Sequence, residues 1–533
     1  MHKDTSPEAA ASPRRGLFTG LVSAAAIIAA AGGIIAAASL APEPAGSRSL
    51  PVALAAVPAG SSVGVCPGPA RLLEGTEAGT DPQFSPESAT ARSAVSGAVI
   101  SAPGGVMPAS RLSALDGASA VEIAGSDEQA AGTAGPQELK AGVIEQQAVD
   151  AASVLSADAR EGQKPSAAAL MKYSATDGDL QGSAAANCQQ PSNDVWLAGA
   201  STTLGRTSVL ILSNASSTPA TVSLELYGTK GQIQAPGSRG LLVAPGSTRS
   251  IVLAGLAPGE AQLSVHVRSA GGPVAAAIQQ SVLRGLTPGG VDFISPGAAP
   301  AARQVMTGID IQDGGSVASL TREKGYEDAG PALQLTVPGQ SDAVVAIKLF
   351  GRDGQKALPG GGVVTAKAAS VTEVSLAGVP AGHYTVSASS DVSFVAAARV
   401  TRGLKKDNAS DVAWAAAGVR LGSQHVVPVP QGGQRTLVFG ALEDRATISY
   451  SAITADGKIQ AASTADIAGG TTTSIDVPEK VGASTVLGYV VSASGDAAYG
   501  ALLLQQEGRQ DISTLALMPA ASGQEQIPVT LGY

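Results

Sequence analysis

The side chains able to do chemistry are few and scattered. The four histidines are His2, His266, His383 and His425. No two of them share the spacing by which His-Glu-x-x-His presents paired imidazoles to zinc. No Gly-x-Ser-x-Gly elbow, Walker loop or Ser-x-x-Lys stands in a context that would activate a nucleophile, so acyl and phosphoryl transfer lack their usual machinery. Adjacent carboxylates occur at Asp127-Glu128, Glu327-Asp328 and Glu443-Asp444. Neighbours in a strand face opposite ways, whereas a glycosidase needs two carboxyls set across a cleft. The stretch from Asp310 to Gly315 falls short of a calcium loop because Gln312 breaks the 1, 3, 5 ligand pattern, and a Gly-bearing turn is expected there. No catalytic, cofactor-binding or metal-ligating residue is assigned, and no enzyme activity or cofactor is expected.

The remaining reactive side chains are Cys66 and Cys188, the only two cysteines. A bridge between them would close 122 residues, a staple for which the chain-entropy relation gives about 5 kcal/mol. No Cys-x-x-Cys spacing points to a redox or metal site. Trp196 and Trp414, the only tryptophans, read as packing residues at equivalent module starts rather than as sugar-stacking platforms. His266 reads as a solvated or edge residue of an alternating strand. Asn214-Ala-Ser216 and Asn408-Ala-Ser410 read as polar loop tips.

The elements that must position these residues follow from composition. The chain has 533 residues, is 44% hydrophobic but only 3% aromatic, and carries 65 Gly and 32 Pro. Such a chain builds several small cores of Ala, Val and Leu with many turns between them. The net charge of -9, without a Lys/Arg cluster, removes the attraction that drives phosphate-backbone binding, and no nucleic-acid partner is expected.

Residues 1–16 form an expected cytoplasmic tail. Leu17 to Leu40 is a run without charge, about 36 Å long as a helix against a hydrocarbon core of about 30 Å. Lys3, Arg14 and Arg15 precede it, so the positive-inside rule keeps the N-terminus cytoplasmic and places the body after residue 40 outside the cell membrane. A cleaved signal peptide competes, since Ala36 and Ala38 offer a small-x-small site, but a cleavable apolar region runs roughly 7 to 15 residues. Residues 41–62, rich in Pro, Ala, Ser and Gly, read as a tether.

Beyond the tether the chain repeats itself. Leu224-Glu-Leu-Tyr-Gly-Thr-Lys-Gly231 returns as Ile347-Lys-Leu-Phe-Gly-Arg-Asp-Gly354 and, more faintly, as Ser451 to Gly457. Leu253 to Gly259 returns as Leu376 to Gly382. Runs such as Thr221-Val-Ser-Leu-Glu-Leu alternate apolar with polar residues, and Pro or Gly punctuates them, which is the pattern of strands. Asp353-Gly354 and Asp456-Gly457 supply hairpin turns, because Gly tolerates the positive φ required. The expected fold is all-β, a series of immunoglobulin-like sandwiches. The expected boundaries are a disulfide-closed module at 63–190 and three copies of one module at 191–295, 296–410 and 411–533.

The strings Val65-Cys-Pro-Gly-Pro69, Asp179-Leu-Gln-Gly182, Asp194-Val-Trp196 and Leu210 to Pro219 together resemble an uncharacterised actinobacterial family of single-pass, exported, β-rich envelope proteins. The likeness is strongest from Val63 to Ile294. It implies that Cys66 pairs with Cys188 and that the body works in the cell envelope, and it carries over no catalytic residue. The resulting expectation is a membrane-anchored envelope scaffold that holds partner proteins, glycan-assembly machinery among them. A carbohydrate-binding or adhesive protein is the alternative, and a glycan hydrolase is a weaker one.

Overall fold

In the computed structural model, residues 53–56, 60–72, 88–101, 106–124, 139–159, 165–518 and 526–529 are described. The expected tail at 1–16 and membrane helix at 17–40 lie outside them. Among the described residues no helix is long and apolar enough to cross a membrane. Ala53–Ala56, inside the expected tether, is a strand that pairs antiparallel with Gln526–Val529. The chain divides into two units. One contains this strand pair, and the other spans Val57–Glu525.

Among its described residues the larger unit is all-β but for short helical turns such as Gly314–Leu320, and the strands fall into four sets, each made of two sheets. In the second set one sheet runs Asp194–Ala200, Leu263–Gly271, Ala220–Gly228, Gly231–Ile233, and the other runs Ser247–Val252, Arg206–Asn214, Ala275–Arg284, Thr287–Ile294. The third set runs from Ala301–Ile311 to Asp411–Ala416, with the long strand Gly382–Arg402 serving both of its sheets. The fourth runs from His425–Pro428 to Ile512–Ala516. The first set runs from Ser62–Cys66 to Gly182–Asn187 and has the same strand order as the others. The expected three copies are therefore four.

The copy boundary expected at 411 is displaced. Asp411–Ala416 pairs with Gly382–Arg402 and closes the third set. Trp414 thus lies in a last strand, while Trp196 lies in the first strand of the second set. The two tryptophans are not equivalent, although both are buried. The physical reason is that Asp194-Val-Trp196 and Asp411-Val-Ala-Trp414 both run from an Asp into apolar residues, so the start of one module and the end of another look alike locally.

Period-2 burial explains the strands. Leu224 and Leu226 are buried, as are Ile347 and Leu349 one copy later, whereas Glu225 is half-buried and Lys348 exposed. The Gly228–Gly231 and Gly351–Gly354 pairs set the register of their hairpins, which decides the face on which each leucine falls. Truncating Leu226 or Leu349 to Ala should cost about 2 to 5 kcal/mol, against a small effect for Lys348→Ala. Urea unfolding midpoints of the purified chain measure the difference.

The four sets share their cores. Val291 and Phe293 of the second set join the core of the first, and Ala397 and Trp414 of the third join that of the second. Val438, Leu503 and Ile512 of the fourth join the core of the third, and Leu170 and Ala185 of the first join that of the fourth. The fourth module therefore packs back on the first, and the string of modules closes into a ring.

Candidate functional site on the ring axis

The last strand of every module lies at the centre of the ring. Gly182–Asn187 touches Thr287–Ile294, which touches Asp411–Ala416, which touches Ile512–Ala516, which touches Gly182–Asn187 again. Each is the edge of its sheet, and the closed packing protects all four edges from other chains.

A single carboxylate ties this bundle together. Asp411 is fully buried, and its Oδ1 accepts from the backbone N–H groups of Val291 at 3.1 Å and Val412 at 3.0 Å. Its Oδ2 accepts from those of Ser183 at 2.9 Å and Ile512 at 3.0 Å. One donor comes from each axial strand. The residues just before those donors are Gly182, Gly290, Asp411 itself and Asp511. A Cβ at Gly182 or Gly290 would stand 2.6 or 2.5 Å from Asp411 Oδ1, and both glycines have positive φ, so no other residue type fits beside the carboxylate. Burial pushes the Asp411 carboxyl well above the ordinary range, while the N–H donors pull it down.

One residue along, Asp292 is also fully buried. Its Oδ2 accepts from the Trp414 N–H at 2.6 Å, and burial likewise raises its pKa well above the ordinary carboxylate value. A carboxyl whose folded pKa lies above its unfolded value of about 3.9 contributes stability that is fully present below that value and is lost as pH rises through the folded one. Stability should therefore fall as pH rises above about 3.9, and Asp292→Asn should make that fall shallower while the share of Asp411 remains. Urea midpoints measured from pH 5 to pH 8 for both chains test this.

The axis opens at both ends. Where the axial strands start, a polar mouth of about 490 Å³ is lined by Gln181, Gln312, Lys405, Asn408, Arg509 and Gln510 with their neighbours. Arg509 pairs there with Asp511 at 2.9 Å. Where the strands end, a smaller mouth of about 190 Å³ is lined by Val195, Pro296, Trp414, Leu515 and Met518, with Asp194 and Gln190 among its polar residues.

The residues singled out by type in the sequence fall elsewhere. Cys66 and Cys188 form a disulfide that joins the first strand of module one to the end of its axial strand. His266 is buried, not solvated. It stacks on Trp196 at 4.1 Å, its Nδ1 lies 2.8 Å from Glu225, and its Nε2 lies 3.1 Å from Asp194 without hydrogen-bond geometry. Its strand, Leu263–Gly271, is flanked on both sides in the sheet, and the Trp196 ring that stacks on the imidazole itself packs with Val371 and Val395 of the third module. His425 accepts from the Gly422 N–H and contacts the Met518 carbonyl. Burial holds its pKa below the ordinary value.

Asn214 is buried rather than at a loop tip, and it donates to the carbonyls of Thr218 and Val243. Asn408 lines the polar mouth. Residues 313–320 form a helix start and helix instead of a turn, with Asp313 capping Gly314–Leu320. Asp310 is held by Arg402 and Gln505. Asp328 is bound by Arg206 and Arg284, and Glu443 by Arg303. Asp127-Glu128 lies outside the described residues.

Asp292 and Asp411 were missed because an isolated Asp, within a strand as at 292 or at its start as at 411, reads as a polar, outward position. The available signal was a charge set in an unbroken apolar run, as in Val291-Asp-Phe-Ile294 and Asp411-Val-Ala-Trp-Ala-Ala416.

A family of unknown function (DUF5719) matches residues 143–478. The match starts inside the first module and ends inside the fourth, so it extends well beyond Ile294. No curated protein matches the chain.

Proposed function

Because the chain belongs to that family of unknown function, DUF5719, which brings no activity with it, we propose its role from architecture: an extracytoplasmic scaffold of the cell envelope, anchored by the 17–40 helix, that binds partner proteins. The immunoglobulin-like reading of its two-sheet modules and the actinobacterial origin belong to the same proposal. The observation that carries it is the closed ring. The four axial edges and the faces between modules are used in holding the body together, and the best placed buried carboxylate, Asp411, has all its acceptor positions filled by backbone N–H groups. What is left for partners is the rim and the two axial faces. These are rigid platforms, which suits a scaffold.

A second reading rests on the polar mouth. Its four amide side chains, Gln181, Gln312, Asn408 and Gln510, are the chemistry that exchanges hydrogen bonds with sugar hydroxyls, which favours a carbohydrate ligand. Affinity purification of the full chain from solubilised membranes tests the first reading. Charge reversals clustered on the axial faces should abolish partner recovery while leaving the unfolding midpoint unchanged. Recovery that survives them, or hydrolysis of an envelope glycan by the purified chain, would overturn it. A glycan array tests the second: binding that Gln510→Ala and Asn408→Ala remove would support it, and no binding would end it.

A further inference from the structure

Between the second and third modules lies a small cavity of about 20 Å³, lined by Gln280 and Arg284 from one side and Gln334, Arg399 and Trp414 from the other. Four buried polar atoms on residues of this lining have no hydrogen-bond partner among the described residues: Gln280 Oε1, Gln334 Oε1, Arg284 Nε and Trp414 Nε1. Their residues are deeply covered. Gln280 is 4% exposed, Gln334 1% and Trp414 4%, and the Arg284 side chain is 6% exposed. A buried donor or acceptor left unpaired costs stability, and native proteins rarely leave several in one place.

The inventory is two acceptors and two N–H donors. That matches what one water molecule offers, since water donates twice and accepts twice. The volume also fits, because a cavity needs on the order of 10 to 15 Å³ to hold a water. We propose that this cavity is a binding site for a single internal water, which accepts from Arg284 Nε–H and Trp414 Nε1–H and donates to Gln280 Oε1 and Gln334 Oε1.

A halide is the competing occupant of a site beside two arginines. Each of the two already pairs with a carboxylate, however, although one of these is shared with a further arginine. Arg284 lies 2.9 Å from Asp328, which also binds Arg206 at 2.6 Å, and Arg399 lies 2.8 Å from Glu373. Two carbonyl oxygens facing a halide would repel it. The water joins the modules where Trp414 of the third enters the core of the second, so it links two bodies whose glutamines share no hydrogen bond.

A crystal structure of the full chain, with a parallel bromide soak, tests the site. The expected result is one well-ordered water within hydrogen-bonding distance of all four atoms and no anomalous bromide peak. Bromide in the cavity, which would require both amides to be turned over, or an empty cavity, would overturn the proposal. In solution, Gln280→Met and Gln334→Met should each lower the thermal midpoint by roughly 2 °C or more, and the double variant by less than the sum, because both act through one water. Strict additivity would contradict a shared ligand.

Discussion

Asp411→Ala is expected to destabilise the whole body by about 4 kcal/mol or more, since it strips the acceptor from four buried N–H groups at roughly 1 to 3 kcal/mol each. Water entering the vacated space would recover part of this. Asp411→Asn is not a mild replacement: the amide keeps one acceptor oxygen but turns an NH₂ toward two N–H donors. It should fall between wild type and Ala. Because the donors come from all four axial strands, the loss should appear in every module at once. Hydrogen exchange read by mass spectrometry checks this, through increased exchange in Gly182–Asn187, Thr287–Ile294 and Ile512–Ala516 together. Exchange confined to the third module would mean that Asp411 serves only its own strand.

The double variant Cys66→Ser/Cys188→Ser is expected to lose about 3 to 5 kcal/mol, the upper figure coming from the 122-residue loop. The bridge ties the first strand of the chain's first module to an axial strand, and both sulfurs are in a buried core. Its removal should therefore loosen the axis as well as the module. Thiol labelling of the denatured chain should give no label without reductant and two per chain with it. Thermal midpoints of the oxidised and serine chains should differ by several degrees. Two labelled thiols before reduction, or an unchanged midpoint, would contradict this.

Much of the fold was legible because it is local. Leu224-Glu-Leu and Ile347-Lys-Leu announce strands by their period, and Gly231 and Gly354 announce the turns. The repeat between them predicts like modules, and the two strings lie in sets whose strands follow the same order. The first module escaped because its third strand, Ser110–Ala114, lacks the Leu-x-Leu-aromatic signature, although Asp116-Gly117 supplies the same kind of turn. Trp196 and Trp414 misled because residue type does not tell a first strand from a last one.

The axis was not legible, because it depends on which module packs on which. Nothing near Asp411 in sequence says that Ser183, Val291 and Ile512 will meet it, and the contact spans 228 residues to Ser183. Gly182 and Gly290 look like ordinary turn glycines until the carboxylate beside them is known.

The four modules form one closed body through their shared cores. Scanning calorimetry of the full oxidised chain tests it most directly. The account predicts one main transition for the ring, with calorimetric and van't Hoff enthalpies in agreement, and a shift of that same transition by Leu226→Ala in the second module and by Leu502→Ala in the fourth. Resolved transitions, each moved only by the substitution in its own module, would show modules strung in line and would contradict the ring.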